Sequence, residues 1–424
     1  MRRALRDPAW RRFFGAHAQS CLGSGLAHVA LPLLAFDRTG SPWAVTAVLL
    51  PDLLPAILFG PILGTLVDRI GWRACAIVAD LLRALAFGAL VWTASLPAMV
   101  AAAGVAGFGT ALFSPAALSG LGRLSPSADV RPGALSLFGA LDDLGLTAGP
   151  ALAALLLAGL PAGALLGVNA ATFAISAFVL AGIREPAVAG VEEEVSSLWA
   201  DVRAGLRALA GRPDVRLLLL SSTAAVLCIG VTNVGEVVLA RGVLGLGGSG
   251  LAVLVAAGGL GTVLGSLAAR YRTAWEWRRA YTCGLACMAA DLLLCSLAPP
   301  LPVLLLVFVL GGFGNGFALV HDRLLLGEAV PSALHGRVFA VQKTMTSLAF
   351  AASFLGAGVV MAADGVQHTF LAAGLGMLVV VLATTPRLRL AWPAPSAPGG
   401  VVGFPEPTGA GAVVDPGSSP AAAA

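Results

Sequence analysis

The chain is a succession of about twelve apolar runs, each roughly 18 to 25 residues long, and a helix of that length at ~1.5 Å per residue crosses the hydrocarbon of a bilayer. The 424 residues are 58% hydrophobic and only 11% charged, with a mean hydropathy of +0.90, more apolar surface than one soluble core could hide. Strand-like alternation is scarce, which argues against a β-barrel. The sequence therefore reads as an all-α membrane protein with twelve transmembrane helices.

The net charge of +4 does not point to nucleic acid, because the basic residues come one loop at a time and form no patch. Arg2, Arg3, Arg6, Arg11 and Arg12 precede the first run. Arg69 and Arg73, Arg123 and Arg131, Arg270 to Arg279, Arg323 and Arg337, and Arg387 and Arg389 fall in alternate loops, while the opposite loops hold almost only Arg38 and Arg241. The positive-inside rule then places both termini in the cytoplasm, with an even number of spans in the plasma membrane. Cys21, Cys75, Cys228, Cys283, Cys287 and Cys295 all lie within apolar runs and form no Cys-x-x-Cys pair. They read as packing residues, with no metal, disulfide or cofactor expected. Met1 to Arg12 is basic, but no small-residue cleavage site follows the next run, so the first helix is expected to be retained.

Polar residues inside the runs are the candidates for chemistry. In the first, about Phe13 to Phe36, His17, Cys21, Ser24 and His28 recur at helical spacing, a stripe that could contact a ligand or bond a neighbouring helix. A turn, Asp37 to Pro42, follows. Asp52, between Pro51 and Pro55, lies some ten residues into the second run, a depth at which an acid is costly and marks an ion path by default; the alternative is a structural carboxyl in a proline-loosened crevice. Asp80 and Arg83, three apart, suggest a local ion pair. The fifth run carries Asp142 and Asp143. The seventh, about Leu217 to Ala240, carries Thr232, Asn233 and Glu236, with Arg241 placed to neutralise the acid. The eleventh and twelfth, about Val338 to Ala362 and Thr369 to Thr385, are expected to be separate helices. Between residues 184 and 216 lies a linker in which Leu198, Trp199, Val202, Leu206 and Leu209 share one face, expected to lie on a membrane or pack on a cytoplasmic loop. Residues 386–424, rich in Pro, Gly and Ala, read as a disordered cytoplasmic tail.

Between the second and third runs stands Gly64-Thr-Leu-Val-Asp68-Arg69-Ile-Gly71-Trp72-Arg73. It resembles the signature loop between helices 2 and 3 of the major facilitator superfamily; Gly64, Asp68, Arg69, Gly71 and Arg73 match, while Trp72 replaces a basic residue. Gly145-Leu-Thr-Ala-Gly149-Pro150 resembles the helix 5 signature of proton-coupled exporters in that superfamily, with Ala153 and Ala154 in place of its closing glycines. The halves also echo one another at an offset of roughly 200 residues: Gly107-Phe108-Gly109 recurs as Gly312-Phe313-Gly314, Arg131-Pro-Gly133 has a counterpart in His335-Gly336-Arg337, and Gly64 maps near Gly265. Arg12-Phe13-Phe14, Thr39-Gly40-Ser41-Pro42 and Gly336-Arg337-Val338 look like the macrolide and siderophore exporter branch.

The resemblance implies two six-helix bundles, residues 1–183 and 217–385, joined by the linker 184–216. It places helices 1, 4, 7 and 10 around a cavity between the halves, helices 2, 5, 8 and 11 at a moving interface, and helices 3, 6, 9 and 12 outside as support. His17, Ser24, His28, Asn233 and Asn315 become cavity candidates, Asp52, Asp142, Asp143 and Glu236 proton-coupling candidates, and Asp291 a structural acid. Asp68 would latch against the start of helix 11 near Gly336, supported by Arg69 and Arg73, and Asp142 and Lys343 could form an interface charge network. The expected function is proton-coupled efflux of a small amphipathic organic compound by a monomer. Metabolite uptake, lysolipid movement, or a non-transporting sensor or scaffold are the alternatives. No His-Glu-x-x-His, Gly-x-Ser-x-Gly or phosphate-binding lysine loop suggests an enzyme.

Overall fold

The computed structural model describes residues 7–93, 95–124, 130–183, 212–269, 274–330 and 335–391. Among these residues every regular element is helical: α1 (Pro8–Thr39), α2 (Pro42–Ile70), α3 (Trp72–Trp92), α4 (Leu96–Leu124), α5 (Arg131–Leu157), α6 (Ala162–Ala181), α7 (Pro213–Val243), α8 (Gly248–Ala268), α9 (Ala274–Cys295), α10 (Leu301–Ala329) and α11 (His335–Ala391). Ten stretches, one in each element except α9, are long and apolar enough to cross a membrane. The amphipathic linker segment, the tail beyond Ala391 and the side chains of Asp143, Gly336 and Arg337 lie outside the described residues.

Local chemistry sets the helix ends, and several differ from the sequence expectation. Asp7 caps α1 by accepting a 2.7 Å hydrogen bond from the Ala9 amide, with Pro8 at the first helical position, where its missing N–H costs nothing. The helix then runs through Asp37-Arg38-Thr39 and stops only at Gly40, whose φ of 63° is left-handed. α7 starts at Pro213, inside the expected linker; its α-helical part is interrupted after Ile229, resumes over Thr232–Val237, and ends in a π-helical turn, Val238–Val243. The expected loop between the eleventh and twelfth runs is helical except for a break at Gly365 (φ 85°), and residues 386–391 of the expected tail continue the helix.

Two sets of neighbours emerge. In the first, α1 packs on α5 and α6, α3 on α4 and α6, and α2 on α4; in the second, α8 and α9 pack on α10, and α7 and α9 on α11. The sets meet where α5 touches α8 and α2 touches α11. Small residues permit the closest crossings, since packing without a hydrophobic driving force favours backbone approach. A Cβ added at Gly25 would strike the Gly145 carbonyl, and one at Gly149 would strike the Gly25 backbone. Gly145 and Gly149 of the helix 5 signature thus form the α1–α5 seam, followed by Pro150 inside the same helix.

The repeated Gly-Phe-Gly string packs alike in both places. Gly107 lies against the backbone of Pro51 and Asp52 on α2 and Gly109 against Ala79 and Arg83 on α3, while Gly312 meets Gly258 on α8 and Gly314 meets Gly284 on α9. The Gly64–Gly265 correspondence does not hold in packing. No atom would crowd a Cβ at Gly64, whereas one at Gly265 would strike the Phe313 carbonyl.

Candidate functional site

A cavity of about 400 Å³ opens among the first six helices. α1 lines it with His17, Ser20, Cys21, Ser24 and His28, α2 with Asp52, α4 with Thr110 and Ser114, and α5 with Asp142. Five of the cavity and proton-coupling candidates, His17, Ser24, His28, Asp52 and Asp142, therefore converge. Asn233, Glu236 and Asn315 do not line this cavity; Asn233 donates to the Gly230 carbonyl of its own helix at 3.3 Å. The wall also differs from the expected set of helices, because α3 and α6, expected only as outer support, contribute Arg83, Phe87 and Phe173.

His17 is the organised end of the polar stripe. Its ring is 5% exposed and stacks on Phe138 with centroids 4.0 Å apart, and its Nε2 stands 3.2 Å from Asp142 Oδ1. Cys21 donates to the same carboxylate oxygen at 3.3 Å. Asp142 thus faces α1, within the first set of helices, and not Lys343. The trio is close enough to raise a metal site, but the sulfur lies 3.5 Å from Nε2 and 3.8 Å from Nδ1. A ligand sharing a tetrahedral ion with Nε2 would sit in front of that nitrogen and far from the other, so this arrangement is a hydrogen-bonded trio and not a coordination sphere. Asp52 lines the cavity and makes no hydrogen bond or salt bridge among the described residues.

Arg83 is the group that sequence reasoning undervalued. It does pair with Asp80 one turn back, as the spacing suggests, and Asp80 is fully buried while Arg83 is 6% exposed. Yet Arg83 also lines the cavity, with its guanidinium carbon 4.3 Å from the Phe113 ring centroid and 4.1 Å from that of Phe173. A lone arginine in the middle of an apolar run was the available signal.

The Gly64–Arg73 loop lies elsewhere. Gly71 (φ 98°) separates α2 from α3, and Asp68 and Arg69 are exposed, with Asp68 free of hydrogen bonds and ion pairs among the described residues. Arg73 does not support Asp68. Its guanidinium donates to the carbonyls of Leu180 and Ala181, and Arg12 donates to that of Gly182 at 2.8 Å, so two cations cap the C-terminus of α6. Trp72, the departure from the family pattern, is fully buried against Gly120 and Phe13.

At the opposite end of the bundle the two sets of helices touch. Arg241, expected to neutralise Glu236, instead reaches Asp37 of α1, 2.6 Å from Nη2 and 2.7 Å from Nε, and donates to the Leu246 carbonyl at 2.9 Å. Thr46 of α2 donates to the Phe354 carbonyl of α11 at 3.0 Å, and Gly358 lies against Trp43 and Thr46. Asp291 accepts from Cys295 at 3.5 Å beneath Gly311, a buried place in the second set.

An all-helical, many-span bundle with a polar cavity sunk among apolar helices defines a polytopic membrane protein. The chain belongs to the Major Facilitator Superfamily, whose profile matches residues 13–353. Multidrug efflux pump Tap of Mycolicibacterium fortuitum is 29% identical to it over 407 residues, covering 87% of this chain and 93% of that one. YfiS of Bacillus subtilis, an uncharacterized transporter of the same superfamily, is 28% identical over 381 residues, covering 86% and 89%. Among solved structures, the nucleoside transporter NupG has the same fold with a TM-score of 0.73 at 14% identity, covering 90% of this chain and 99% of that one. A bacterial homolog of the human lysosomal transporter Spinster, in an inward-facing and unoccupied conformation, gives 0.69 at 14%, covering 89% and 96%.

Proposed function

We propose that this protein is a secondary active exporter that exchanges protons for a small amphipathic organic compound by alternating access. In this reading α9 and the two arms of α11 on either side of Gly365 are each spans, giving twelve in two six-helix repeats of one monomer, with both termini in the cytoplasm. The matched packing of the two Gly-Phe-Gly strings and the parallel helix neighbours of each half support the repeat. The efflux pump Tap, similar along most of its length, supports export.

The observation that carries the proposal is Asp52. A carboxylate with no hydrogen bond or salt bridge among the described residues, facing a cavity walled by apolar helices, can take up a proton or a cationic group and release it when the surroundings change. Glu236, in the second half and outside this cavity, is a further candidate for that role. The contacts between Asp37 and Arg241 and between Thr46 and Phe354 join the two sets of helices at the Gly40 end, while Asp68 at the Gly71 end is exposed. In this reading Asp68 engages the start of α11 in one of the two conformations of the transport cycle and releases it in the other.

A strain stripped of its own efflux pumps and expressing this protein tests the reading. It is expected to tolerate several-fold more of a subset of amphipathic compounds, and a proton uncoupler should abolish that tolerance. Tolerance that persists with the uncoupler would contradict proton coupling, and greater sensitivity to a compound would indicate uptake.

A further inference from the structure

We propose that Arg83 is a specificity-determining residue of the cavity, a fixed cation whose free edge receives a hydrogen-bond acceptor of the ligand, such as a carbonyl, ether or carboxylate oxygen. Gly109 is the positioning residue that leaves room for it. The inference rests on the reading that this cavity takes the cargo.

The guanidinium is planar, with five N–H donors directed outward in its own plane. Phe113 and Phe173 approach its central carbon, with ring centroids at 4.3 and 4.1 Å, and its N–H donors call for acceptors. Asp80 takes a donor of Nη2. Nε–H, buried, has no partner among the described residues. That unsatisfied charged donor belongs to a residue lining the cavity, and an acceptor on an entering ligand can satisfy it by displacing the packing that now seals it.

The stem is held as firmly as the head. A Cβ at Gly109 would come within 2.7 Å of Arg83 Cγ and 2.8 Å of the Ala79 carbonyl, and two residues earlier a Cβ at Gly107 would meet the backbone of Asp52 at 2.6 Å. One short stretch of α4 thus packs against both Asp52 and Arg83, which line the same cavity. Aromatic walls on either side, Phe87 and Phe113 among them, suit the apolar remainder of the ligand.

The test compares two probes on the purified full-length protein in detergent: an aryl alkyl ketone and the alkylarene with CH2 in place of the carbonyl, each read by competition with a transported dye. The wild type is expected to bind the ketone about tenfold more tightly, the scale of a charge-assisted hydrogen bond. Arg83→Gln should bring the ratio near one, and Arg83→Lys should restore part of it. Because Arg83→Gln strands Asp80, the double variant Asp80→Asn/Arg83→Gln, which keeps the pair neutral, is measured alongside. Gly109→Ala should lower the ratio, and Gly314→Ala, at the matching place in α10, should leave it unchanged. A ratio preserved in the folded double variant would overturn the role of Arg83. If both probes compete with the dye equally in the wild type, the proposal fails while the cavity reading stands; if a dye that is transported is displaced by neither, both fail.

Discussion

Asp68, Trp72 and Arg73 are near neighbours in one loop, yet they do different work. Asp68 is exposed and without hydrogen bonds or ion pairs among the described residues, so Asp68→Asn should leave thermal stability within about 0.5 kcal/mol while slowing transport, as measured in a reconstituted assay. Arg73 spends its donors on the last carbonyls of α6. Its replacement by alanine is expected to cost about 1 kcal/mol, seen as a lower unfolding midpoint. Trp72 fills the space under Gly120, so Trp72→Arg, which restores the family's basic residue, should bury an unpaired cation and sharply reduce folded protein on size-exclusion chromatography. The loop's family pattern was legible in the sequence, but the sharing of roles was not. A motif records which residue types recur, whereas Arg73 is committed by a helix end more than a hundred residues away.

At the scale of elements, the α1–α5 seam is the most exacting contact in the first half. Gly25, Gly145 and Gly149 bring backbone onto backbone, so Gly25→Val should cost about 1–3 kcal/mol or prevent folding by overpacking, whereas Gly15→Ala, with open space around its Cβ, should be silent in a thermal melt. The helices themselves were readable because apolar length is a strong signal. Their ends were less so: Asp37, Arg38 and Thr39 look like a turn but remain helical until Gly40 can adopt a positive φ, and Asp364 and His368 stay helical on either side of Gly365. The members of the site were legible one by one, because an acid or histidine in an apolar run stands out. Their convergence depends on how each helix is rotated, which spacing within a single helix does not encode. Arg83 shows the difference, since its pairing with Asp80 is local and its approach to Phe113 and Phe173 is not.

For the whole molecule, the bridge between Asp37 and Arg241 joins the two sets of helices at the Gly40 end, where both side chains are about one-third exposed. Such a pair adds little to stability, but under the alternating-access reading proposed above it would be broken when the halves part at this end, and so would bias the balance between arrangements. Arg241→Asp should increase the labelling of a reporter cysteine placed in the cavity by reagents entering from the Gly40 end, and adding Asp37→Arg should reverse that gain. The central claim concerns Asp52, and its most direct test is transport of a dye cargo into inverted vesicles energised by an imposed pH gradient. Wild-type protein should accumulate the dye, while Asp52→Asn should bind it and show no gradient-driven accumulation. Accumulation at the wild-type rate by Asp52→Asn would contradict the assignment of Asp52 as the coupling acid.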